Sequence, residues 1–295
     1  MIFNGKEFSQ KILDDLKNKI SSLDFVPEFS DILVGSDGPS VRYVNMKKNI
    51  AESLGIDFIS GVLPVSSTTL DVINKIKEIS LRPNICGIII QLPLPDHINT
   101  QDVLNAVPVS LDVDGLSFEY SDNFYSTLNH NGMGILPTVN AVNKILNQAL
   151  NDNPQVSGIK NFAIVGQGRL VGKPITHLLK SQSTLLDFGW EIKTINIDTP
   201  LSTKEQILKQ ADVVISAVGS PKIITGDQVK DGVIVIDAGT LEVGNTLVGD
   251  IDFESIKDKA SFVTPTPGGV GPVTVACLME NVLINAENKN NLINK

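Results

Sequence analysis

The segment Asn161-Phe162-Ala163-Ile164-Val165-Gly166-Gln167-Gly168-Arg169-Leu170-Val171-Gly172 decides the fold. Four of its first five residues are apolar, which is typical of a buried strand in a parallel sheet. Three glycines follow with the spacing Gly-x-Gly-x-x-x-Gly, and residues 174–180 have the pattern of a helix. Glycine permits a tight turn, so the segment predicts a strand, a turn and a helix in succession.

The same alternation extends in both directions along the chain. Predicted strands occupy residues 31–35, 57–63, 86–91, 161–165, 191–197, 212–218, 233–237 and 261–264. Predicted helices occupy residues 5–23, 40–54, 70–81, 100–106, 140–150, 203–210, 227–230 and 271–288, in addition to the one that starts at 174, and residues 117–134 are interpreted as a loop. This order predicts an α/β fold with mostly parallel sheets that are covered on both faces.

We predict two domains with a cleft between them. The N-terminal catalytic domain comprises residues 1–138 plus 272–295, because the last helix is long enough to return to it. A Rossmann-like dinucleotide-binding domain comprises residues 139–271. The clearest boundary in the sequence is the polar segment 151–154.

Composition argues against several classes of function. The chain has 295 residues, of which 42% are hydrophobic and 19% charged, as in an ordinary globular protein. A net charge of -9 without any basic run argues against a nucleic-acid partner. Two cysteines and three scattered histidines argue against a disulfide framework or a metal site. With no secretory signal and no apolar run near about 18 residues, we expect no membrane span and a cytoplasmic location.

The glycine-rich turn is close to the dinucleotide-binding fingerprint, with one extra residue before the third glycine. In such turns the backbone approaches the pyrophosphate, whose charge lies at the N-terminus of the helix. Asp198 follows the second strand of this domain, where an acid accepts hydrogen bonds from the ribose and repels a 2′-phosphate. Because Gln167 is uncharged and no arginine adjoins Asp198, we expect NAD rather than NADP. The alternative for Asp198 is a solvated residue at a strand end.

The predicted helix 40–54 contains a lysine in an apolar stripe. Pro39 and Ser40 predict its start, with Ser40 as the cap, and Gly55 predicts its end. Five residues share one face at helical spacing: Tyr43, Lys47, Ile50, Ala51 and Leu54. Burial of an ammonium group usually lowers its pKa, which suits proton transfer near neutral pH. The alternative is a lysine whose charge reaches water along the stripe.

Polar residues follow the third predicted strand. Gln91 is the first polar side chain after it, at the carboxyl end where α/β sheets bind ligands, although simple strand termination is an alternative. Asp112 and Asp114 bracket one valine and would point the same way in an extended segment. They indicate either a turn or part of a site.

Together these segments resemble a known family. The matching motifs, in chain order, are Ser40-x-x-Tyr43-Val44-x-x-Lys47, Gly87-Ile88-Ile89-Ile90-Gln91-Leu92-Pro93-Leu94-Pro95, Asp112-Val113-Asp114-Gly115, the segment from Val165-Gly166 to Pro174, Ile236-Asp237-Ala238-Gly239, and Thr264-Pro265-Thr266-Pro267-Gly268-Gly269-Val270-Gly271-Pro272-Val273-Thr274. Over nearly its whole length the chain resembles the bifunctional methylenetetrahydrofolate dehydrogenase/methenyltetrahydrofolate cyclohydrolases.

The resemblance implies a reaction in one-carbon metabolism. Hydride passes from the methylene carbon of 5,10-methylenetetrahydrofolate to NAD or NADP, the latter usual in the family, and water opens the methenyl product to 10-formyltetrahydrofolate. By resemblance, Lys47 transfers protons, Gln91 holds Lys47, Tyr43 stacks near the substrate ring and Asp114 binds the pterin. The implied substrate site also includes Pro93, Pro267, Gly268 and Gly269. The implied cofactor site comprises Gly166, Gln167, Gly168, Val171, Gly172, Asp198, Val218, Gly219 and Thr240. A homodimer is also implied.

Three segments depart from the family pattern. Gln167 stands where the family usually has an arginine associated with the NADP phosphate, and Leu111 replaces a usual lysine. Residues 137–142 replace the usual Pro-Cys-Thr-Pro-x-Gly. These departures favour one alternative, a dehydrogenase without cyclohydrolase activity. A second alternative, from a different class, is a non-catalytic folate- or nucleotide-binding protein.

Overall fold

A computed structural model describes residues 1–126, 134–152, 158–244 and 246–293. The chain forms two units, each built from two separate segments. The glycine-turn unit comprises Met1–Ser9 and Thr138–Thr274, and the lysine unit comprises Gln10–Pro137 and Val275–Lys295. We describe each unit by itself.

A three-stranded parallel sheet organises the lysine unit. Its strands are β1 (Glu28–Ile32), β2 (Asp57–Ser60) and β3 (Ile85–Ile90), in the order β2-β1-β3. The helices are most of α1 (Gly5–Ile20), then α2 (Gly38–Leu54), α3 (Thr69–Ser80), α4 (Thr100–Asn105), α5 (Phe118–Ser126) and the larger part of the last helix, α10 (Val270–Ile293). The chain enters at the central strand β1, so the strand order reverses between β1 and β3.

Both faces of this sheet are covered, as expected for parallel strands. On one face, Phe29 and Ile89 pack with Ala51 of α2 and with Met279 and Val282 of α10. On the other face the cluster combines strand residues with α3 and α4: Ile32, Ile88, Ile90, Val72, Ile76, Val103 and Leu104. Every residue of β3 is buried, which explains its almost unbroken apolar sequence.

The glycine-turn unit contains a five-stranded parallel sheet. Its strands are β4 (Asn161–Val165), β5 (Glu191–Ile195), β6 (Val213–Ser216), β7 (Ile234–Asp237) and β10 (Phe262–Val263), in the order β10-β7-β6-β4-β5. An antiparallel pair, β8 (Leu241–Val243) and β9 (Thr246–Val248), lies outside the sheet. The helices are α6 (Pro137–Asn151), α7 (Gly172–Leu185), α8 (Leu201–Gln210) and α9 (Phe253–Ile256). The predicted α/β fold with mostly parallel sheets is confirmed.

The N-terminus differs from the expected domain ranges. Phe3 donates its backbone N–H to Val263 O, and Val263 donates its own to Met1 O, so the first residues extend the sheet beside β10. Gly5 N–H donates to Gly268 O. These bonds explain why the first nine residues group with residues 138–274. Part of the predicted boundary segment 151–154 lies outside the described residues.

Two local expectations were wrong. Residues 118–126 form α5 instead of a loop, because Tyr120 and Phe124, four positions apart, are buried on one side of it; the rest of the expected loop to residue 133 lies outside the described residues. The cap of α2 is Asp37 instead of Ser40, since the Asp37 side chain accepts the Ser40 backbone N–H at 3.0 Å. Gly55 ends this helix in the left-handed conformation, as predicted.

Strand β1 begins three residues earlier than expected, so it also includes Ser30; Ser30 and Asp31 are both fully buried. Among the described residues, no helix combines the length and apolarity that a bilayer-spanning segment needs.

Candidate active site

Lys47 lies on the buried side of α2, with only 9% of the residue exposed. Its Nζ donates a hydrogen bond of 2.8 Å to Gln91 Oε1. The same nitrogen lies 2.7 Å from Asp31 Oδ2, and the Asp31 side chain is wholly buried. This second contact is an ion pair outside aligned hydrogen-bond geometry. The ammonium charge therefore does not reach water freely along the helix.

The order of the strands in the sheet brings the two partners of Lys47 close together. Asp31 is the penultimate residue of β1, and Gln91 directly follows β3 and donates its backbone N–H to Ile32 O. Both thus lie at the carboxyl ends of neighbouring parallel strands, where the strand order reverses. In open α/β sheets this position forms a crevice that binds ligands. The Gln91 amide Nε2 donates to Leu92 O at 2.9 Å, which orients its oxygen toward Lys47.

Asp112 and Asp114 have different environments. The Asp112 carboxylate accepts the backbone N–H groups of Gly115 and Ser117 at 2.8 and 2.9 Å, so it shapes the loop. Asp114 remains partly exposed, yet burial of its carboxyl group raises its pKa to about 6, with the Lys47 charge opposing this and the Asp112 and Asp31 charges adding to it. Asp114 therefore lies within electrostatic range of the Lys47–Asp31 pair.

The other predicted substrate residues have different local environments. Tyr43 is 40% exposed, so its placement on the buried stripe was wrong; Val44 occupies the buried position instead, because the buried face is rotated by one residue. Pro93 follows a cis peptide bond just beyond Gln91. The predicted substrate residues 267–269 belong to the glycine-turn unit, where Gly268 has a φ of 99°.

The glycine turn requires its first and third glycines for steric reasons. Gly166 has a φ of 92°, and a Cβ there would lie 2.4 Å from Ala217 O. A Cβ on Gly172 would lie 2.1 Å from Gly166 O. A Cβ on Gly168 would meet nothing within 4 Å. The backbone is thus bare at Gly168, and α7 starts at Gly172 without a side-chain cap, which fits a dinucleotide pyrophosphate at this helix end.

The remaining predicted cofactor residues lie near the carboxyl ends of this sheet or just beyond them. Gln167 donates through Nε2 to Gly166 O at 2.8 Å, so its amide folds back onto the turn. Asp198 is exposed after β5 and its backbone N–H donates to Asn196 Oδ1. Val218 and Thr240 are exposed, and Gly219 has a φ of 77°. Val171 directly precedes α7.

Asp250 is a supporting residue that sequence reasoning missed. Its carboxylate accepts the backbone N–H groups of Val218, Gly219 and Ser220 at 2.7–2.8 Å, and the Ser216 hydroxyl at 2.7 Å. It therefore fixes the loop after β6, beside the glycine turn after β4. Burial, and then the Asp250 charge, raise the pKa of the neighbouring Asp237 carboxyl to about 7.

The second missed residue is Asp31. A signal was present, since an acid within a segment of buried-strand character is unusual.

Among the described residues, no cluster of three or more His, Cys, Asp or Glu side chains has the arrangement of a metal site.

The fold and the two strand-end sites define a class of protein: a two-unit α/β enzyme with a dinucleotide-type turn in one unit and a buried lysine–carboxylate pair in the other. The match to family models is more specific. Residues 3–114 match the "Tetrahydrofolate dehydrogenase/cyclohydrolase, catalytic domain", and residues 137–290 match the "Tetrahydrofolate dehydrogenase/cyclohydrolase, NAD(P)-binding domain". The chain belongs to the tetrahydrofolate dehydrogenase/cyclohydrolase family, as the sequence motifs predicted.

Individual relatives agree with this family assignment. The "Bifunctional protein FolD" of Nautilia profundicola is 40% identical over 300 residues, with 97% of each chain covered. The crystal structure of the bifunctional enzyme FolD from Campylobacter jejuni is 32% identical, with a TM-score of 0.86 over 98% of this chain and 99% of that one. The Trypanosoma brucei FolD structure, complexed with NADP cofactor and inhibitor, is 27% identical, with a TM-score of 0.87 over 98% and 97%.

The glycines of the turn should differ in their tolerance of a methyl group. We expect Gly172→Ala to lower the free energy of unfolding by about 1–3 kcal/mol, since its Cβ would overlap a backbone oxygen, and to weaken dinucleotide binding. Gly168→Ala is the matched control for stability, and its free energy of unfolding should stay within about 0.5 kcal/mol of wild type. Urea unfolding measures stability in both variants, and cofactor titration measures dinucleotide binding by Gly172→Ala. Equal losses of stability in the two variants would contradict the steric explanation.

The raised pKa of Asp114 predicts a pH-dependent stability. Its carboxyl keeps its proton up to about pH 6 in the folded protein but loses it near 3.8 when unfolded. Between these values the folded state binds more protons, so stability falls as pH rises. Asp114→Asn should therefore raise the free energy of unfolding by about 1–3 kcal/mol at pH 7 and leave it unchanged near pH 4. Chemical unfolding across pH measures this effect, and the exposed Asp122→Asn serves as control; equal curves for Asp114→Asn and wild type would refute it.

Proposed function

We propose that this protein oxidises 5,10-methylenetetrahydrofolate with a nicotinamide dinucleotide and then hydrolyses the 5,10-methenyl product to 10-formyltetrahydrofolate. The observation that carries the proposal is the buried Lys47 amine, held between Gln91 and Asp31 where the strand order reverses. A lysine with this enclosure is suited to proton transfer. The relatives named bifunctional FolD support both activities.

In the hydrolytic step, Lys47 is the general base. The methenyl carbon is already cationic, so a water molecule can add to it without a metal. A new C–O bond forms, the Lys47 amine accepts a proton from the water, and cleavage of the bond to N5 leaves the formyl group on N10. Gln91 holds Nζ in place through its 2.8 Å hydrogen bond. General-base catalysis of this kind is worth about 10²–10⁴-fold in rate.

Asp114 and Tyr43 are proposed to contact the substrate. The Asp114 carboxyl group lies within electrostatic range of the Lys47 charge, and we assign Asp114 to binding of the pterin. Tyr43 lies four residues before Lys47 on α2, and its 40% exposure leaves the ring available for stacking. Pro93 and residues 267–269 complete the proposed substrate contacts.

In the oxidative step, the glycine-turn unit holds the dinucleotide. A nicotinamide, when bound, supplies the acceptor for the hydride that leaves the methylene carbon. The bare backbone at Gly168 and the uncapped start of α7 are suited to the pyrophosphate. The loop fixed by Asp250 presents Val218 and Gly219 beside this turn, and Thr240 is an exposed contact in the same unit. Asp198 is proposed to bind the adenosine ribose.

A single assay tests the proposal: 5,10-methylenetetrahydrofolate is supplied with each cofactor while absorbance of the reduced cofactor and of the methenyl product is followed. Formation and decay of the methenyl band supports the bifunctional enzyme. Accumulation without decay supports a dehydrogenase alone, and no reduced cofactor supports a non-catalytic binding protein. A homodimer in the cytoplasm remains a prediction, which sedimentation and fractionation would test.

We expect kcat/KM to be higher with NAD than with NADP, because the Asp198 carboxylate repels a 2′-phosphate and Gln167 provides no positive charge. Coulomb repulsion of about 1 kcal/mol at this exposed site corresponds to roughly fivefold. Asp198→Asn should reduce the preference for NAD over NADP by about that factor. Glu205 is an exposed acid on α8, and Glu205→Gln should leave the preference unchanged. A wild-type preference for NADP would overturn the assignment.

Lys47→Ala should lose about 10²–10⁴-fold in cyclohydrolase kcat and retain dehydrogenase activity, because only the hydrolytic step needs the base. Folding should be retained, since Asp31 can take up a proton when its partner is removed. Lys48→Ala is the matched control, because Lys48 is the next residue but its side chain is 44% exposed and pairs with Glu52. Rates are measured on methenyltetrahydrofolate, and circular dichroism verifies the fold. Normal hydrolysis by Lys47→Ala would falsify the role of this lysine.

A further inference from the structure

The Asp31 carboxylate has an unusual environment for an acid. The residue is fully buried in the central strand β1. Among the described residues, Lys47 is its ion-pair partner, and neither carboxylate oxygen accepts an aligned hydrogen bond. Replacing a whole buried ion pair with apolar residues is often neutral or stabilising, so stability alone does not explain an acid at this position.

Strand geometry aims this acid at the proposed base. Alternate residues of a strand share a face, so Asp31 points to the same side as Phe29, which packs against Ala51 and Leu54 of α2. Lys47 extends from the same side of α2, and its Nζ reaches Asp31 Oδ2 at 2.7 Å. Ser30 points to the opposite face, where its hydroxyl donates to Ile59 O.

We propose that Asp31 is a positioning residue for Lys47, which fixes the amine and accepts its proton so that the amine is free to act as a base. The inference rests on the proposed cyclohydrolase function. A protonated lysine cannot accept a proton from water, so Lys47 must first lose its proton to act as a base. A proton acceptor at Asp31 meets this requirement. Gln91 supplies an amide oxygen, which holds the amine but cannot take up its proton.

The proton balance is as follows. A proton moves from Nζ to Asp31 Oδ2 and leaves a neutral amine beside a neutral acid. The attacking water forms a C–O bond to the methenyl carbon and gives a proton to the amine. When the bond to N5 breaks, N5 gains a proton and the new hydroxyl loses one as it becomes the formyl oxygen. One proton is released to water in each turnover.

The surroundings of Asp31 raise the affinity of its carboxyl group for a proton. Burial raises the pKa of Asp31, and the Lys47 charge opposes that effect. Around Asp31, α2 contributes Lys47 and the loop before α5 contributes Asp114, whereas the register partners on β2 and β3 are the uncharged Ser60 and Ile89. Two acids share one cation in a desolvated place, so an extra proton on the carboxyl side is favoured.

The test uses two variants of the full chain. Asp31→Asn keeps the shape of the side chain and removes its ability to accept the proton, and Asp31→Val fills the same space without a polar group. Ser30→Ala is the matched control, since it alters the same strand on the face away from Lys47. Hydrolysis of methenyltetrahydrofolate and oxidation of methylenetetrahydrofolate are measured on each preparation across pH.

Both Asp31 variants should fold, lose at least about tenfold in cyclohydrolase kcat at neutral pH with little change in KM, and retain dehydrogenase activity. In the pH profile of the hydrolysis rate, the acidic limb of both variants should shift to higher pH, because Lys47 must then release its proton to solvent. Simple loss of a negatively charged neighbour predicts a shift to lower pH instead. An acidic limb that shifts to lower pH or stays in place would overturn the proposal. Absence of hydrolysis by wild type would instead overturn the cyclohydrolase function.

Discussion

A charge pair removed from water constrains the lysine unit more than any other contact. Neither Lys47 nor Asp31 has free access to solvent, and each would be costly to bury without the other. The pair therefore requires that α2 and β1 keep a fixed distance and rotation. Packing of Phe29 against Ala51 and Leu54 maintains this arrangement, and Gln91 ties the same amine to the end of β3. The apolar core and the polar site are thus parts of one arrangement.

The two units use the same structural principle with different chemistry. Each has a parallel sheet whose order reverses beside its first strand, and each concentrates its polar groups at the carboxyl ends there. In the lysine unit the result is the buried Lys47–Asp31 ion pair beside Gln91. In the glycine-turn unit it is a bare backbone at Gly168, next to a loop whose amides are bound by Asp250. Internal carboxylates support both sites: Asp31 holds a side chain, and Asp250 holds a main-chain loop.

Much of the fold was predictable because apolar periodicity reports burial directly. Strand β3 is apolar throughout, and Gly55 ends α2 as its sequence position indicates. The bond between Lys47 and Gln91 agrees with the family resemblance, but the pairing of Lys47 with Asp31 depends on which strands are neighbours, and a local pattern does not contain that information. Tyr43 was misplaced because helical spacing alone leaves the buried face uncertain by one residue, and Val44 packs inward instead. Helix α5 was missed because only Tyr120 and Phe124 mark its buried side within a polar segment.

The interleaved chain path has a consequence for synthesis on the ribosome. The lysine unit needs residues that follow the whole glycine-turn segment, since its sheet face with Phe29 and Ile89 is covered by α10 residues Leu278, Met279, Val282 and Leu283. Domains that consist of one continuous segment can fold as soon as they emerge. Here the nascent chain exposes that apolar face until α10 has been translated, so the core around Phe29 and Ile89 is completed only after residues 278–283 have left the exit tunnel.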